Sequence, residues 1–222
     1  MRPSGRRRVA LVGMFGVMAL LCLASAGSAQ TLKTEVDLTS KGVGSKEVSL
    51  GDLVADALRA AAKSDAAFVA ATSFEEMTIP KGSFKVADVL QAVLGKDDTI
   101  VLVKLTGDQL RRALETGLYN YPTFNSGFLQ VSGLTVTINP EAEKERRVVS
   151  VKVKGEALEA GKTYRVAMPA PLASGSLGYY KVWKKSDIEK DTEQTLEAAI
   201  TAYLNEHKTI TKGDERLVFK GK

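Results

Sequence analysis

Two stretches decide how this chain folds: Leu105-Thr-Gly-Asp-Gln-Leu-Arg-Arg-Ala-Leu-Glu115 and, one loop later, Gly127-Phe-Leu-Gln-Val-Ser-Gly133. Thr106 stands as an N-cap. Leu110, Ala113, Leu114 and Leu118 then recur at helical spacing, so the helix buries one stripe and leaves Arg111, Arg112 and Glu115 on the solvent side. Thr99 to Leu105 before it is β-branched and apolar, hence a strand. Asn120, Tyr121, Pro122 and Asn125 mark a loop, Gly127 opens a strand through Val131, and Gly133 lets the chain bend.

Upstream, Leu50, Leu53, Val54, Ala57, Leu58 and Ala61 give a helix over 50–62, with Ser49 in the N-cap position and Asp52 three residues on. Ala66 to Ala70 is a short apolar run suited to a buried strand, and Ile79-Pro80-Lys81-Gly82 is a turn. Val86, Val89, Leu90, Val93 and Leu94 place a second helix that stops at Gly95. Downstream, Leu134–Ile138 and Val149–Val153 alternate as adjacent antiparallel strands joined by the polar loop 140–146. Thr163–Met168 is another strand. A last helix is expected from Asp191 to His207 with Leu196, Ile200, Tyr203 and Leu204 inward, and Arg216–Phe219 is a terminal strand. The fold class is α+β, with helices layered on a mixed sheet.

The 222 residues divide as 1–29, a signal peptide; 30–46, a connector; and 47–222, one domain. Arg2, Arg6, Arg7 and Arg8 precede an apolar run over 9–23 and then small residues, with cleavage expected after Ala26 or Ala29. A retained membrane anchor is the competing reading. Four of the 31 basic residues and none of the 26 acidic ones lie in this leader, so its removal takes the net charge from +5 to +1. The basic pI is therefore no nucleic-acid footprint. Cys22, the one cysteine, leaves with the leader, so the mature chain has no disulfide or thiolate site. The expected location is secreted or periplasmic, with no membrane segment after cleavage.

Leu50-Gly-Asp-Leu-Val-Ala-Asp-Ala57, Leu105-Thr-Gly107, Gly127-Phe-Leu-Gln-Val-Ser-Gly133, Lys162-Thr-Tyr-Arg-Val-Ala167 and Leu172-Ala-Ser-Gly-x-x-Gly-Tyr179 stand in an order and at separations that resemble the C-terminal domain of the 5'-nucleotidase family. The similarity runs from about Glu35 onward. It implies that family's fold, whose C-terminal domain holds the nucleoside part of the substrate. An N-terminal metallophosphoesterase domain carries two metals and the hydrolytic machinery. The one histidine, His207, suits a solvated helix end better than a ligand role, so no catalytic residue, metal ligand or cofactor is assigned.

The ligand-holding positions that the resemblance implies are changed. Its Asn-Gly-Gly-x-x-Arg falls on Ala71-Thr-Ser-Phe-Glu-Glu76, and its first base-stacking Phe on Gly95-Lys96. The second stacking Phe falls on Pro171, and the Asp that grips sugar hydroxyls falls on Leu177. The remaining candidates for stacking or lining a groove are Phe128, Tyr179 and Tyr180, with Trp183 beside them; covering a sheet edge is the competing role for these rings. The pairs Glu75/Glu76 and Asp97/Asp98 read as solvated loop carboxylates, and Ser132 and Ser174 have no histidine to activate them.

Three functions fit these residues. The first is a secreted, non-catalytic binding module with degenerate nucleoside-binding positions. The second is the recognition half of a split 5'-nucleotidase, with a separate metallophosphoesterase chain or another envelope protein as partner. The third is a hydrolase with an unrecognised site.

Overall fold

A computed structural model describes Met1 and residues 31–221. The expected leader, with Cys22, lies outside the described residues. Along the chain run β1 (Leu32–Thr34), β2 (Leu38–Thr39), α1 (Ser49–Ala62), β3 (Ala66–Ala70), β4 (Thr78–Ile79), β5 (Gly82–Phe84), α2 (Val86–Gln91), β6 (Thr99–Thr106) and α3 (Gly107–Gly117). Then come β7 (Leu129–Ser132), β8 (Leu134–Ile138), β9 (Val148–Val153), β10 (Glu156–Ala157), β11 (Thr163–Pro169), α4 (Ala170–Ala173), β12 (Ile188–Thr195), α5 (Leu196–Glu206), β13 (Thr209–Ile210) and β14 (Leu217–Phe219).

A five-stranded mixed sheet ordered β12-β6-β11-β3-β7 carries the core. A four-stranded sheet, β10-β9-β8-β14, adjoins it through the bend between β7 and β8, where Gly133 takes φ +74° and the carbonyl of Asp65 leaves no room for a side chain. A smaller sheet, β13-β1-β5, and the pair β2-β4 complete the strands. Thus much of the stretch expected to be a connector is built into the fold, with Leu32, Leu38 and Val43 buried.

Every residue of β3 is buried, and its alanines let α1 lie close above it. Gly51 in α1 serves the same closeness. A side chain there would collide with Gln130 of β7, whose buried amide accepts from the N–H of Val48 (3.0 Å) and donates to the carbonyls of Val43 (3.0 Å) and Lys46 (2.8 Å). One glutamine thereby satisfies the backbone of the irregular segment entering the helix.

Three local expectations change. Ser49 is inside α1 and caps nothing; its hydroxyl donates to the Asp37 carbonyl (2.9 Å) and accepts from Thr39 N–H (2.8 Å), tying α1 to β2. The second helix ends at Gln91, because Val93 turns away to bridge Phe74, leaving Leu94 44% exposed. The expected helix at Asp191 begins only at Leu196. The polar stretch before it is an edge strand against β6, held where Thr192 Oγ1 donates to the Ile100 carbonyl (2.7 Å) and Thr99 Oγ1 to Asp191 (2.7 Å). Charge on a sheet edge resists pairing with other chains. It also hides the strand from a reading based on apolar periodicity.

Candidate functional site

Strands β3 and β11 are parallel, while β6 runs antiparallel to β11 and β7 antiparallel to β3. The segments leaving β3 and β11 and those entering β6 and β7 therefore open at one end of the sheet, and the carboxyl ends of parallel strands are where such sheets place ligands. Backbone bonds stitch these segments together. Leu94 N–H donates to Ser73 O (2.9 Å), Glu75 N–H to Ala92 O (3.0 Å), Thr72 N–H to Ser126 O (3.0 Å) and Glu197 N–H to Lys96 O (2.9 Å).

Every position implied by the resemblance lies on this end, and none carries the expected chemistry. Ala71 is buried and offers no amide; Glu76 and Lys96 are exposed; Pro171 is exposed at the start of α4. Leu177 sits between Gly175 and Gly178 with φ 60° and ψ 23°, a left-handed backbone that costs an ordinary side chain about 1–2 kcal/mol. It is 39% exposed. The left-handed turn there presents only an apolar side chain.

The rings singled out from sequence divide differently. Phe128 is buried among Leu114, Leu118 and Val136. Tyr179 is wholly buried, stacked on Trp183 at 4.8 Å between ring centres, and its hydroxyl donates to the Gly127 carbonyl at 2.6 Å. Burial alone pushes the Tyr179 phenol far up, so it stays a neutral donor. Neither ring faces solvent, and of the three only Tyr180, 65% exposed, presents its ring at the surface, with the Lys181 ammonium 5.9 Å from the ring centre. Trp183 is buried with its indole N–H shared between the carbonyls of Leu172 and Ala173.

Beside this end lies a groove of about 590 Å³ between the second half of α3, the loop before β7 and the turn after α4. Arg111, Arg112, Tyr119, Asn120, Leu177 and Lys181 contribute to its walls. Glu115, expected on the solvent side, is buried on its floor, with Oε1 accepting from Val148 N–H (2.7 Å) and Oε2 from Arg147 N–H (3.1 Å). Its position between Leu114 and Leu118, at the margin of the apolar stripe, is the signal that could have revealed it.

Ser132 is also accounted for. Its buried hydroxyl donates to Asp56 (2.5 Å) and accepts from Arg59 Nε (2.7 Å). Asp56 in turn pairs with Arg216 at 2.7 Å, and Glu47 accepts from the backbone N–H groups of Arg216 and Leu217. This network fastens β14 to α1 and commits the Ser132 hydroxyl to structure rather than to nucleophilic work. Among the described residues no three His, Cys, Asp or Glu side chains are grouped to hold a metal ion, so the residues present do not fit a dimetal centre. No helix among them is long and apolar enough to cross a membrane.

Comparison with known proteins agrees with the fold. A 5'-nucleotidase precursor from Thermus thermophilus superposes with a TM-score of 0.77 at 29% identity, covering 86% of this chain and 39% of that one. The NAD nucleotidase of Haemophilus influenzae superposes at 0.71 with 19% identity over 86% of this chain and 38% of that one, a likeness of fold. In sequence, the trifunctional nucleotide phosphoesterase protein YfkN of Bacillus subtilis (strain 168) is 34% identical over 145 residues, 62% of this chain and 10% of that protein. The 5'-nucleotidase of Mus musculus is 30% identical over 129 residues, 54% of this chain and 22% of that protein. The chain thus spans between a tenth and a quarter of the length of these two relatives. Residues 25–185 match the model of the family described as 5'-nucleotidase, C-terminal domain, and the chain belongs to that family.

Proposed function

We propose that this chain is an exported, non-catalytic binding module that keeps the scaffold of a 5'-nucleotidase C-terminal domain without its nucleoside seat. The observation that carries this reading is the composition of the sheet end. Ala71, Glu76, Lys96, Pro171 and Leu177 occupy the positions where the resemblance requires an amide, a cation, two stacking rings and a sugar-gripping carboxylate. Paired stacking and a charge-assisted hydrogen bond are large parts of small-ligand affinity, and these side chains supply neither. Export rests on the basic, apolar and small-residue order of the first 29 residues.

A second reading makes the chain the recognition half of a split enzyme, with a separate metallophosphoesterase chain as partner. It is supported by large apolar side chains that stand exposed around the same end: Leu94, Phe124, Leu177 and Tyr180. An assay of phosphate release from AMP with added divalent metal tests both. The module reading expects no turnover by the chain alone or mixed with a solitary metallophosphoesterase. Turnover only in the mixture would favour the split enzyme, and turnover by the chain alone would overturn both.

A further inference from the structure

We propose that the groove beside α3 is a binding site for a small aromatic anion, a ring bearing a carboxylate or a phosphate. Its volume, about 590 Å³, falls in the range of small-molecule sites. Arg111 and Arg112 come from α3 and Lys181 from the turn opposite, so the cations face the groove's contents from two elements. Among the described residues none of the three forms an ion pair with a carboxylate.

Two carboxylates, Glu115 and Glu145, also line the groove, so the three cations leave it one formal positive charge in excess. Both oxygens of buried Glu115 are taken by the N–H groups of Arg147 and Val148, and Glu145 lies exposed on a loop. The two arginines are also held in place. Arg111 Nη1 donates to the Val148 carbonyl at 2.6 Å and Arg112 Nη2 reaches toward the Val182 carbonyl at 3.4 Å, leaving their remaining N–H donors for another acceptor. A guanidinium so anchored matches the planar oxygens of a carboxylate or phosphate. Tyr119, 48% exposed with the Lys144 ammonium 4.1 Å over its ring, and Leu177 supply the apolar surface against which a ring would lie. The left-handed turn that exposes Leu177 thereby gains a use.

This inference rests on the reading that the chain works by binding; the groove shares Leu177 with the altered nucleoside seat, and its other walls come from α3, the loop before β7 and residues 178–182. The test is an amide-resolved NMR titration of the folded protein with phenyl phosphate, benzoate, inorganic phosphate and phenol, repeated on Arg112→Gln and Lys181→Gln. Both substituted residues are exposed. Phenyl phosphate or benzoate should give saturable shifts confined to 111–120 and 177–182, with inorganic phosphate and phenol weaker by about tenfold or more, and each substitution should weaken binding about tenfold. Which of the two aromatic anions binds more tightly identifies the head group.

Absence of saturable shifts in those amides with both aromatic anions would overturn the proposal, as would shifts there that neither substitution reduces. Shifts confined to 72–76 and 95–98 would overturn it too, and would point instead to a surviving seat. Tighter binding of an oligoglutamate peptide than of either aromatic anion would replace the small ligand with an acidic peptide. The seat itself is judged separately, by adenosine binding, so the two failures are distinguishable.

Discussion

The hydroxyl of Tyr179 and the carbonyl of Gly127 are joined at 2.6 Å, and through that bond the turn leaving α4 is fixed to the segment entering β7. A ring that sequence context offers as a ligand-stacking surface is here a buried strut. Replacing Tyr179 by Phe keeps the stack on Trp183 and leaves the buried Gly127 carbonyl without this donor. Chemical denaturation should register a loss of about 1–3 kcal/mol. An unchanged midpoint would show that the hydroxyl finds no partner there.

Arg216 closes the other side of the molecule. Its guanidinium is 15% exposed, pairs with Asp56 at 2.7 Å and donates to the Val131 carbonyl at 2.8 Å. Arg216→Gln leaves the Asp56 carboxylate without its cation in a largely buried site beside Asp52, so a loss of about 3–5 kcal/mol is expected, with amide exchange rising first in β14. A loss below about 1 kcal/mol would mean that the pair behaves as a solvated surface bridge.

The same cluster makes stability depend on pH. Burial pushes the Asp52 carboxyl up from its ordinary 3.8 to about 8; the Arg216 guanidinium opposes the shift, while Glu47 and Asp56 add to it. The folded chain then holds a proton that the unfolded chain releases near 3.8. This contribution is fully present below about pH 3.8 and is lost as pH rises to about 8. Asp52→Asn removes the titration. Melting curves between about pH 4 and 9 should fall less with rising pH in the variant than in the parent, and parallel curves would assign the proton elsewhere.

Leu177 occupies a left-handed conformation, φ 60°, in a place that suits glycine. Leu177→Gly should raise stability by about 1 kcal/mol through relief of that backbone, less whatever the partly exposed side chain contributes. A clear destabilisation would show that Leu177 packs more tightly than its exposure indicates.

Most of the scaffold was legible because it is written in apolar period. Leu110, Ala113, Leu114 and Leu118 are buried as their spacing requires, and β8 and β9 pair as their alternation requires. What sequence could not show lies where polar groups do structural work. The polar edge strand β12 carries no apolar alternation along most of its length, and Glu115 and Gln130 are buried only because distant backbone N–H and carbonyl groups meet them. The candidate site was legible as a set of altered positions on one sheet end. The burial of Phe128 and Tyr179 was not legible, since an aromatic beside glycine reads alike as a ligand platform and as a plug. The groove joins α3 to a turn more than sixty residues later in the sequence, and no local pattern announces it.

Calorimetric titration of the folded protein with adenosine addresses the altered seat most directly. Loss of about 4 kcal/mol of stacking and polar contacts weakens binding about a thousandfold, so no saturable heat is expected at submillimolar adenosine. Micromolar binding, with amide shifts at 72–76, 95–98 and 171–176, would contradict the loss of the nucleoside seat.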